Sequence, residues 1–317
     1  MSPEGRRPIV PFLMGVLLAA GCTPKAPLPI APPSRNGARV VDFPLAWSPD
    51  GRTIAYSRVI PSKDGPPGVY LLDLQAHRAR WAAQANLLSP KRGRFSSDGK
   101  LVCCVTGNQV TVIDTERLNS YQPFYTSSLV ESADWLENSH VLVYSRRFAP
   151  PALPAESTGI HLFDLDSRED RPIFPSGSPA IGGREVTTIP SASQVAYLAG
   201  QDLRSVSIPA GAPHVLYTNG TAGALSYLTP YHDPIVGRGG LLFASISGSQ
   251  ASPYFLQARA AEPLPFPPFQ APYCVPSWDG GKMLRQGVDP LDSSVVLFQE
   301  FILGPSAGQP RQVTSYR

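Results

Sequence analysis

A short string that returns along the chain constrains its fold more than any other feature. Trp47-Ser48-Pro49-Asp50-Gly51-Arg52 leads into the apolar stretch Thr53-Ile54-Ala55-Tyr56-Ser57. Phe95-Ser96-Ser97-Asp98-Gly99-Lys100 leads into Leu101-Val102-Cys103-Cys104-Val105, and Ser277-Trp278-Asp279-Gly280-Gly281-Lys282 leads into Met283-Leu284. Asp-Gly is a strong hairpin signal, because both central residues of a type I′ turn need positive φ, which Asp tolerates and Gly accepts freely. Each copy therefore predicts strand, tight turn, strand. A second element follows at a similar offset: Gly68-Val69-Tyr70-Leu71-Leu72-Asp73, Gln109-Val110-Thr111-Val112-Ile113-Asp114 and Ile160-His161-Leu162-Phe163-Asp164. The last of these follows a degenerate copy, residues 133–145, in which Asn138-Ser139 replaces Asp-Gly.

The spacing is regular. Asp50 and Asp98 are 48 positions apart, and Asp50 and Asp279 are 229 apart, or about 46 for each of five steps. That step is close to the ~40–45 residues of a four-stranded propeller blade. Five steps make six units, and two weak units fall in the gap, over 186–208 and 224–258. A single four-stranded sheet cannot bury both faces, whereas six arranged radially can. Composition agrees: 42% of the 317 residues are hydrophobic and 36 are proline, a density that long helices do not tolerate. The fold class expected is all-β: a single six-bladed β-propeller of four-stranded antiparallel blades over 39–317. The last unit is expected to supply its own outer strand over 310–315. Residues 39–43 are expected to pair with that blade and close the ring.

The string Ser48-Pro49-Asp50-Gly51-x-x-Ile54-Ala55-Tyr56-Ser57, followed by Val69-Tyr70-Leu71-Leu72-Asp73-Leu74, resembles the repeat of TolB-type β-propellers. Those repeats are similar to WD repeats without the Trp-Asp ending. The likeness is specific over 46–74, good over 94–114 and fair over 132–165 and 277–302. TolB-type proteins often carry an α/β domain ahead of the propeller. A Pro-rich stretch stands there in this sequence, so TolB's own role in envelope integrity is not carried over.

The N-terminus carries its own signal. After Arg6-Arg7, residues 9–20 are uncharged and mostly apolar. That length suits the core of an export signal and is short of the ~20 residues of a membrane-spanning helix. The run ends in Leu18-Ala19-Ala20-Gly21-Cys22, which resembles the lipobox of bacterial lipoproteins. The resemblance implies a signal peptide over 1–21, cleavage before Cys22, and acylation of Cys22. Residues 22–38 hold Pro24, Pro27, Pro29, Pro32 and Pro33, which favour an extended tether. Thr23, not Asp, follows the cysteine. By resemblance to enterobacterial lipoproteins this implies sorting to the outer membrane, on its periplasmic side or at the surface.

No catalytic, cofactor or metal residue is assigned. Gly304-Pro305-Ser306-Ala307-Gly308 matches a nucleophile elbow in letters only, since Gln309-Pro310 blocks the required helix and no histidine follows. The histidines (77, 140, 161, 214 and 232) lack metal-ligand spacing. His232-Asp233 reads as a loop position, Gly237-Arg238-Gly239-Gly240 as a glycine turn, and Asn219-Gly220-Thr221 as a turn between blades. Asp50, Asp98 and Asp279 are assigned to turn chemistry, and Asp73, Asp114 and Asp164 to capping the turns that follow them. Cys103 and Cys104 should point to opposite faces of one strand. All three cysteines beyond Cys22 read as buried thiols, with a bond from Cys103 or Cys104 to Cys274 as the alternative. A net charge of +3 without a basic block gives no support for nucleic-acid binding.

The function expected is therefore that of a lipid-anchored, non-enzymatic envelope scaffold. Its partners would be the membrane, through Cys22, and an envelope protein or a cell-wall or surface polymer. The Pro-containing inserts Pro61–Gly68, Ala149–Thr158 and Pro263–Pro272 are the candidate contact loops. A propeller lyase or hydrolase and a structural subunit of an envelope complex are the alternatives.

Overall fold

The computed structural model describes residues 41–314 apart from 60–64, 85–90, 108, 127–128, 137–139, 148–158, 175–182, 190–192, 209–210, 221–222, 234–237, 248–249, 258–263, 266–273, 290–293 and 302–309. Within them the chain forms 24 strands in six four-stranded antiparallel sheets. Blade 1 is β1 (Asp42–Trp47), β2 (Thr53–Arg58), β3 (Gly68–Asp73) and β4 (Arg78–Ala83). Blade 2 is β5 (Lys91–Phe95), β6 (Leu101–Thr106), β7 (Gln109–Asp114) and β8 (Ser120–Tyr121). Blade 3 is β9 (Leu129–Trp135), β10 (Val141–Arg147), β11 (Gly159–Asp164) and β12 (Asp170–Pro172). Blade 4 is β13 (Gly183–Thr188), β14 (Gln194–Ala199), β15 (Asp202–Ser207) and β16 (His214–Thr218). Blade 5 is β17 (Ala224–Asp233), β18 (Arg238–Ser247), β19 (Gln250–Gln257) and β20 (Leu264–Pro265). Blade 6 is β21 (Cys274–Pro276), β22 (Lys282–Val288), β23 (Val295–Phe301) and β24 (Pro310–Gln312). The fold is a six-bladed β-propeller, as the repeat predicts.

Strand alternation explains how the ring holds together. Successive side chains on a strand point to opposite faces, so each central strand feeds two seams. On β2, Ile54 and Tyr56 pack with Leu284 and Leu297 of blade 6, while Ala55 packs with Val102 and Ile113 of blade 2. On β6, Cys104 faces blade 1 and Cys103 faces blade 3. The hydrophobic core is accordingly divided into six clusters, one at each seam between neighbouring blades.

The Ser-x-Asp-Gly turn differs from the expected type I′. Only the glycines, Gly51, Gly99 and Gly280, have positive φ (67°, 74° and 69°); the aspartates do not. In each copy the glycine N–H donates to the serine carbonyl three residues earlier, at 2.9 Å. The serine hydroxyl donates to the aspartate, at 2.5 Å for Ser48–Asp50 and 2.7 Å for Ser96–Asp98. That aspartate also accepts the backbone N–H two residues on, at 3.0 Å. The motif is a four-residue turn with proline allowed at its second position, closed by a left-handed glycine.

Within the described residues the ring closes without exchanging a strand, which corrects the expectation for the described part of 39–43; residues 39 and 40 lie outside the described residues. Asp42 and Phe43 pair with Arg58 and Ser57 inside blade 1. Blade 6 already has its own outer strand in β24, so no place is left there for them. Closure instead uses side chains from blade to blade. Trp47 Nε1 donates to Val275 O (3.0 Å), Trp278 Nε1 to Trp47 O (2.8 Å) and Gln286 Nε2 to Asp42 O (2.6 Å).

Blade 5 also departs from expectation. Its first two strands are ten residues long, so His232, Asp233, Arg238, Gly239 and Gly240 lie in strands, not in a loop or turn. Pro230 is tolerated in β17 because an innermost strand has no neighbour on its channel side to need its N–H. Gly240 is required where it stands: a Cβ there would lie 2.4 Å from Leu256 O.

Candidate functional site

Antiparallel connectivity fixes two rims. The turns joining first to second and third to fourth strands lie at one end of the blades, the turn rim. The connections joining second to third strands, and one blade to the next, lie at the other, the loop rim. The turn rim is built from capped turns: Asp73, Asp114 and Asp164 each accept two backbone N–H bonds from the turn that follows, at 2.8–3.0 Å. Its exposed residues carry charges of both signs, among them Arg52, Lys100, Glu116, Arg117, Arg168 and Glu169.

Topology gathers the candidate contact inserts at the loop rim. The β2–β3 connection holds Pro61–Gly68, the β10–β11 connection holds Ala149–Thr158, and the β20–β21 connection holds most of Pro263–Pro272. Only Gly65 to Gly68 of the first and Leu264-Pro265 of the third are within the described residues, and the second lies outside them. Cys22, the signal segment and the tether also lie outside, as does Gly304–Gly308.

Two polar clusters, one buried in blade 1 and one partly exposed in blade 3, form where the sequence repeats Tyr-Ser-Arg at 56–58 and 144–146. Arg58 is 2% exposed, lies 4.5 Å from the Tyr70 ring centroid and pairs with the fully buried Asp42 at 3.2 Å. In blade 3, Arg146 turns outward and pairs with Asp170 on the outermost strand. Tyr144 donates its hydroxyl hydrogen to the same carboxylate at 2.9 Å, and His161 Nδ1 stands 3.3 Å away without hydrogen-bond alignment. Burial raises the Asp170 pKa, but His161, Arg146 and Tyr144 outweigh it and hold the carboxyl below its ordinary value. The repeated Tyr-Ser-Arg was the available sequence signal for both clusters; it does not say which carboxylate each arginine meets.

A third network joins the innermost strands. Asp134 accepts from Thr187 Oγ1 (2.6 Å) and Thr188 N (3.0 Å) across the seam between blades 3 and 4. Glu185, at a bulge with φ 38°, accepts from Leu228 N (2.8 Å) and Ser226 Oγ in blade 5. Between blades 1 and 2 at the turn rim lies a cavity of about 420 Å³, lined by Pro49, Asp50, Leu71, Arg80, Phe95 and Asp98 among others.

Asn219 is 2% exposed, and its amide donates to Gly223 O (2.8 Å) and Ser245 Oγ (3.0 Å). Among the described residues no three histidine, cysteine, aspartate or glutamate side chains are grouped to hold a metal. None of Cys103, Cys104 and Cys274 is in a disulfide; the first two are buried as expected, whereas Cys274 is half-buried. They stand in three different seams, which removes the disulfide alternative. Burial pushes the Cys104 thiol up to about 12 and Cys103 well above its ordinary value, which makes both poor nucleophiles.

No protein-family model matches the sequence, and no curated protein matches it. Solved structures do share its fold. An oligogalacturonate lyase in complex with manganese is 15% identical, with 83% of this chain and 76% of the lyase aligned and a TM-score of 0.53. The oligogalacturonate lyase of Vibrio parahaemolyticus is 14% identical, with 85% and 76% aligned and a TM-score of 0.50. TolB from Acinetobacter baumannii is 16% identical over 71% of this chain, with a TM-score of 0.52, and this chain spans about half of its length (54%). At such identities the likeness is one of fold. It corrects the expectation of a non-enzyme. The same fold is that of two lyases, so the lack of a local catalytic motif is no ground for excluding catalysis. Residues that meet across blades are tens of positions apart in sequence and leave no motif.

Proposed function

We propose that this protein is an envelope lipoprotein, anchored by lipid on Cys22 and sorted to the outer membrane. Its propeller is a rigid scaffold that binds an envelope protein or a cell-wall or surface polymer across the loop rim. One observation supports this reading above the others: three proline-containing inserts, separate in sequence, belong to the same rim. The strands are committed to seams, and connections held by a rigid framework are where recognition concentrates. TolB, described among the solved structures, is a further member of the fold.

The anchor and the scaffold are tested apart. Intact-mass analysis of the mature protein should show an acylated N-terminus at Cys22, and Cys22→Ala should abolish acylation and membrane retention while the propeller still folds. A Cys22→Ala protein that stays membrane-bound with its N-terminus uncut refutes the anchor. Crosslinking in native membranes should capture a specific partner, and deletion of 149–158 should abolish that capture. A capture unchanged by that deletion, and lost on altering turn-rim residues such as Arg117 and Arg168, places the binding surface on the wrong rim. Incubation with oligogalacturonate, followed for the absorbance of an unsaturated product, reads out lyase activity in the same preparation.

A further inference from the structure

The two rims differ in chemistry as well as in length. In the six longest connections of the loop rim, residues 59–67, 84–90, 122–128, 148–158, 173–182 and 266–273, the only charged residues are Lys63, Asp64 and Glu156. The same segments carry Ile60, Leu87, Leu88, Phe124, Tyr125, Phe148, Leu153, Phe174, Phe266, Phe269 and many prolines. At the turn rim, the turns 48–52, 96–100, 115–119 and 165–169 of blades 1 to 3 each carry charged residues. Of the large hydrophobic side chains exposed among the described residues, Val215 lies near the turn-rim end of β16 in blade 4, and others stand at the loop rim. Tyr125, in the link from blade 2 to blade 3 at the loop rim, is 82% exposed. Tyr121, 40% exposed, ends β8 at that side. Trp81 is 44% exposed, and its indole lies against Gly68, the loop-rim end of β3. These side chains stand at the outer, loop-rim side of blades 1 and 2. The chain coming from Cys22 joins the ring at Asp42, the loop-rim end of β1 in blade 1.

We infer that the outer loop-rim margin of blades 1 and 2, through Trp81, Tyr121 and Tyr125, rests on the surface of the bilayer that holds the lipid of Cys22. The inference rests on the anchor proposed above and names what one sector of that rim meets. The chemistry fits a membrane interface. Tyrosine and tryptophan place an apolar ring and a polar tip at headgroup depth, whereas charged side chains resist leaving water. The exposed aromatic rings at this margin can therefore approach lipid, and the charged turns at the opposite end of blades 1 to 3 stay in water. A tether joined at the same rim brings that margin to the bilayer without passing around the ring. A partner met by the other inserts is then one presented at the same membrane.

Tryptophan positions supply a built-in probe. Trp47 and Trp135 end β1 and β9 at the turn rim, and Trp278 lies in a turn there, so Trp81 alone reports the loop rim. The full-length acylated protein is reconstituted on vesicles of phosphatidylethanolamine and phosphatidylglycerol, with and without acyl chains brominated near the headgroup. Brominated lipid should quench part of the tryptophan emission, and Trp81→Phe should remove that quenching while the protein still sediments with the vesicles. Tyr121→Asp combined with Tyr125→Asp should also reduce it, with co-sedimentation kept through the lipid. An acylated protein that co-sediments but shows no quenching, or quenching that survives Trp81→Phe, overturns the inference and leaves the anchor standing. A protein without acyl mass that does not sediment shows that the anchor itself has failed. Quenching absent because two copies cover the margin would appear as a dimer on sedimentation, and also overturns it.

Discussion

His77, Leu118 and Arg168 occupy the same place in three blades, four residues after the turn-capping aspartates Asp73, Asp114 and Asp164. All three have left-handed backbone, with φ of 49°, 55° and 61°. A non-glycine residue in that region costs about 1–2 kcal/mol. His77 is exposed, so its side chain can be removed without opening the core. His77→Gly should stabilise the protein by about 0.5 kcal/mol, the relieved strain exceeding the entropy that glycine adds to the unfolded chain. Chemical denaturation of the soluble domain measures this, and a loss of stability would refute it. The Ser-Asp-Gly turn makes the opposite case. Ser96 Oγ and Lys100 N both bond Asp98, so Asp98→Ala should cost about 1 kcal/mol, the smaller end of what charged hydrogen bonds contribute because the site faces water. The hydrogen bond from Ser96 holds the Asp98 carboxyl below its ordinary value. Its contribution is therefore present at neutral pH and is lost as the pH falls through that lowered value. Asp-Gly announced this turn in the sequence. Its class was not legible there, because serine rather than a second left-handed residue completes the hydrogen bonding.

Strands β1 and β22 meet where the ring closes, and a buried ion pair lies at that seam. Burial pushes the Asp42 carboxyl up to about 7, against the opposing pull of Arg58 and hydrogen bonds from Arg58 and Thr314. The folded protein therefore keeps a proton that the unfolded chain loses near its ordinary value of 3.8. This group's contribution to stability is complete below about pH 4 and is lost as the pH rises through about 7. Denaturation midpoints at pH 5 and pH 8 should differ in that direction, and Asp42→Asn should flatten the difference. At pH 8, where Asp42 is ionised, Arg58→Ala should cost about 3–5 kcal/mol because it strips the partner from a buried carboxylate, and at pH 5 it should cost less. Little change on that substitution would mean that the seam does not depend on the pair. Sequence alternation showed that β2 and β3 were strands. It did not show that Arg58 would turn inward to Asp42 while Arg146, in the same Tyr-Ser-Arg setting, would turn outward to Asp170. Those carboxylates lie 16 residues before one arginine and 24 after the other, and only packing decides between them.

On the scale of the molecule, six sheets divide one core into six seams, and the ring closes by side chains from Trp47, Trp278 and Gln286. The predicted loss of membrane retention in Cys22→Ala and the predicted loss of quenching in Trp81→Phe both belong here, since each depends on how the whole ring is held. The sequence alone determined the number of blades, since the Asp-Gly turn and the strand after it recur with a period that one four-stranded sheet requires. It also determined that Cys103 and Cys104 face opposite ways, because side chains on a strand alternate. Only the tertiary structure decided how the ring closes, how far the blade 5 hairpin runs, and which carboxylate each buried or half-buried arginine meets. The physical reason is distance along the chain. Turns and alternation are set by neighbours within a few residues, whereas closure, seams and rims bring together residues up to 244 positions apart, as in the bond from Gln286 to Asp42.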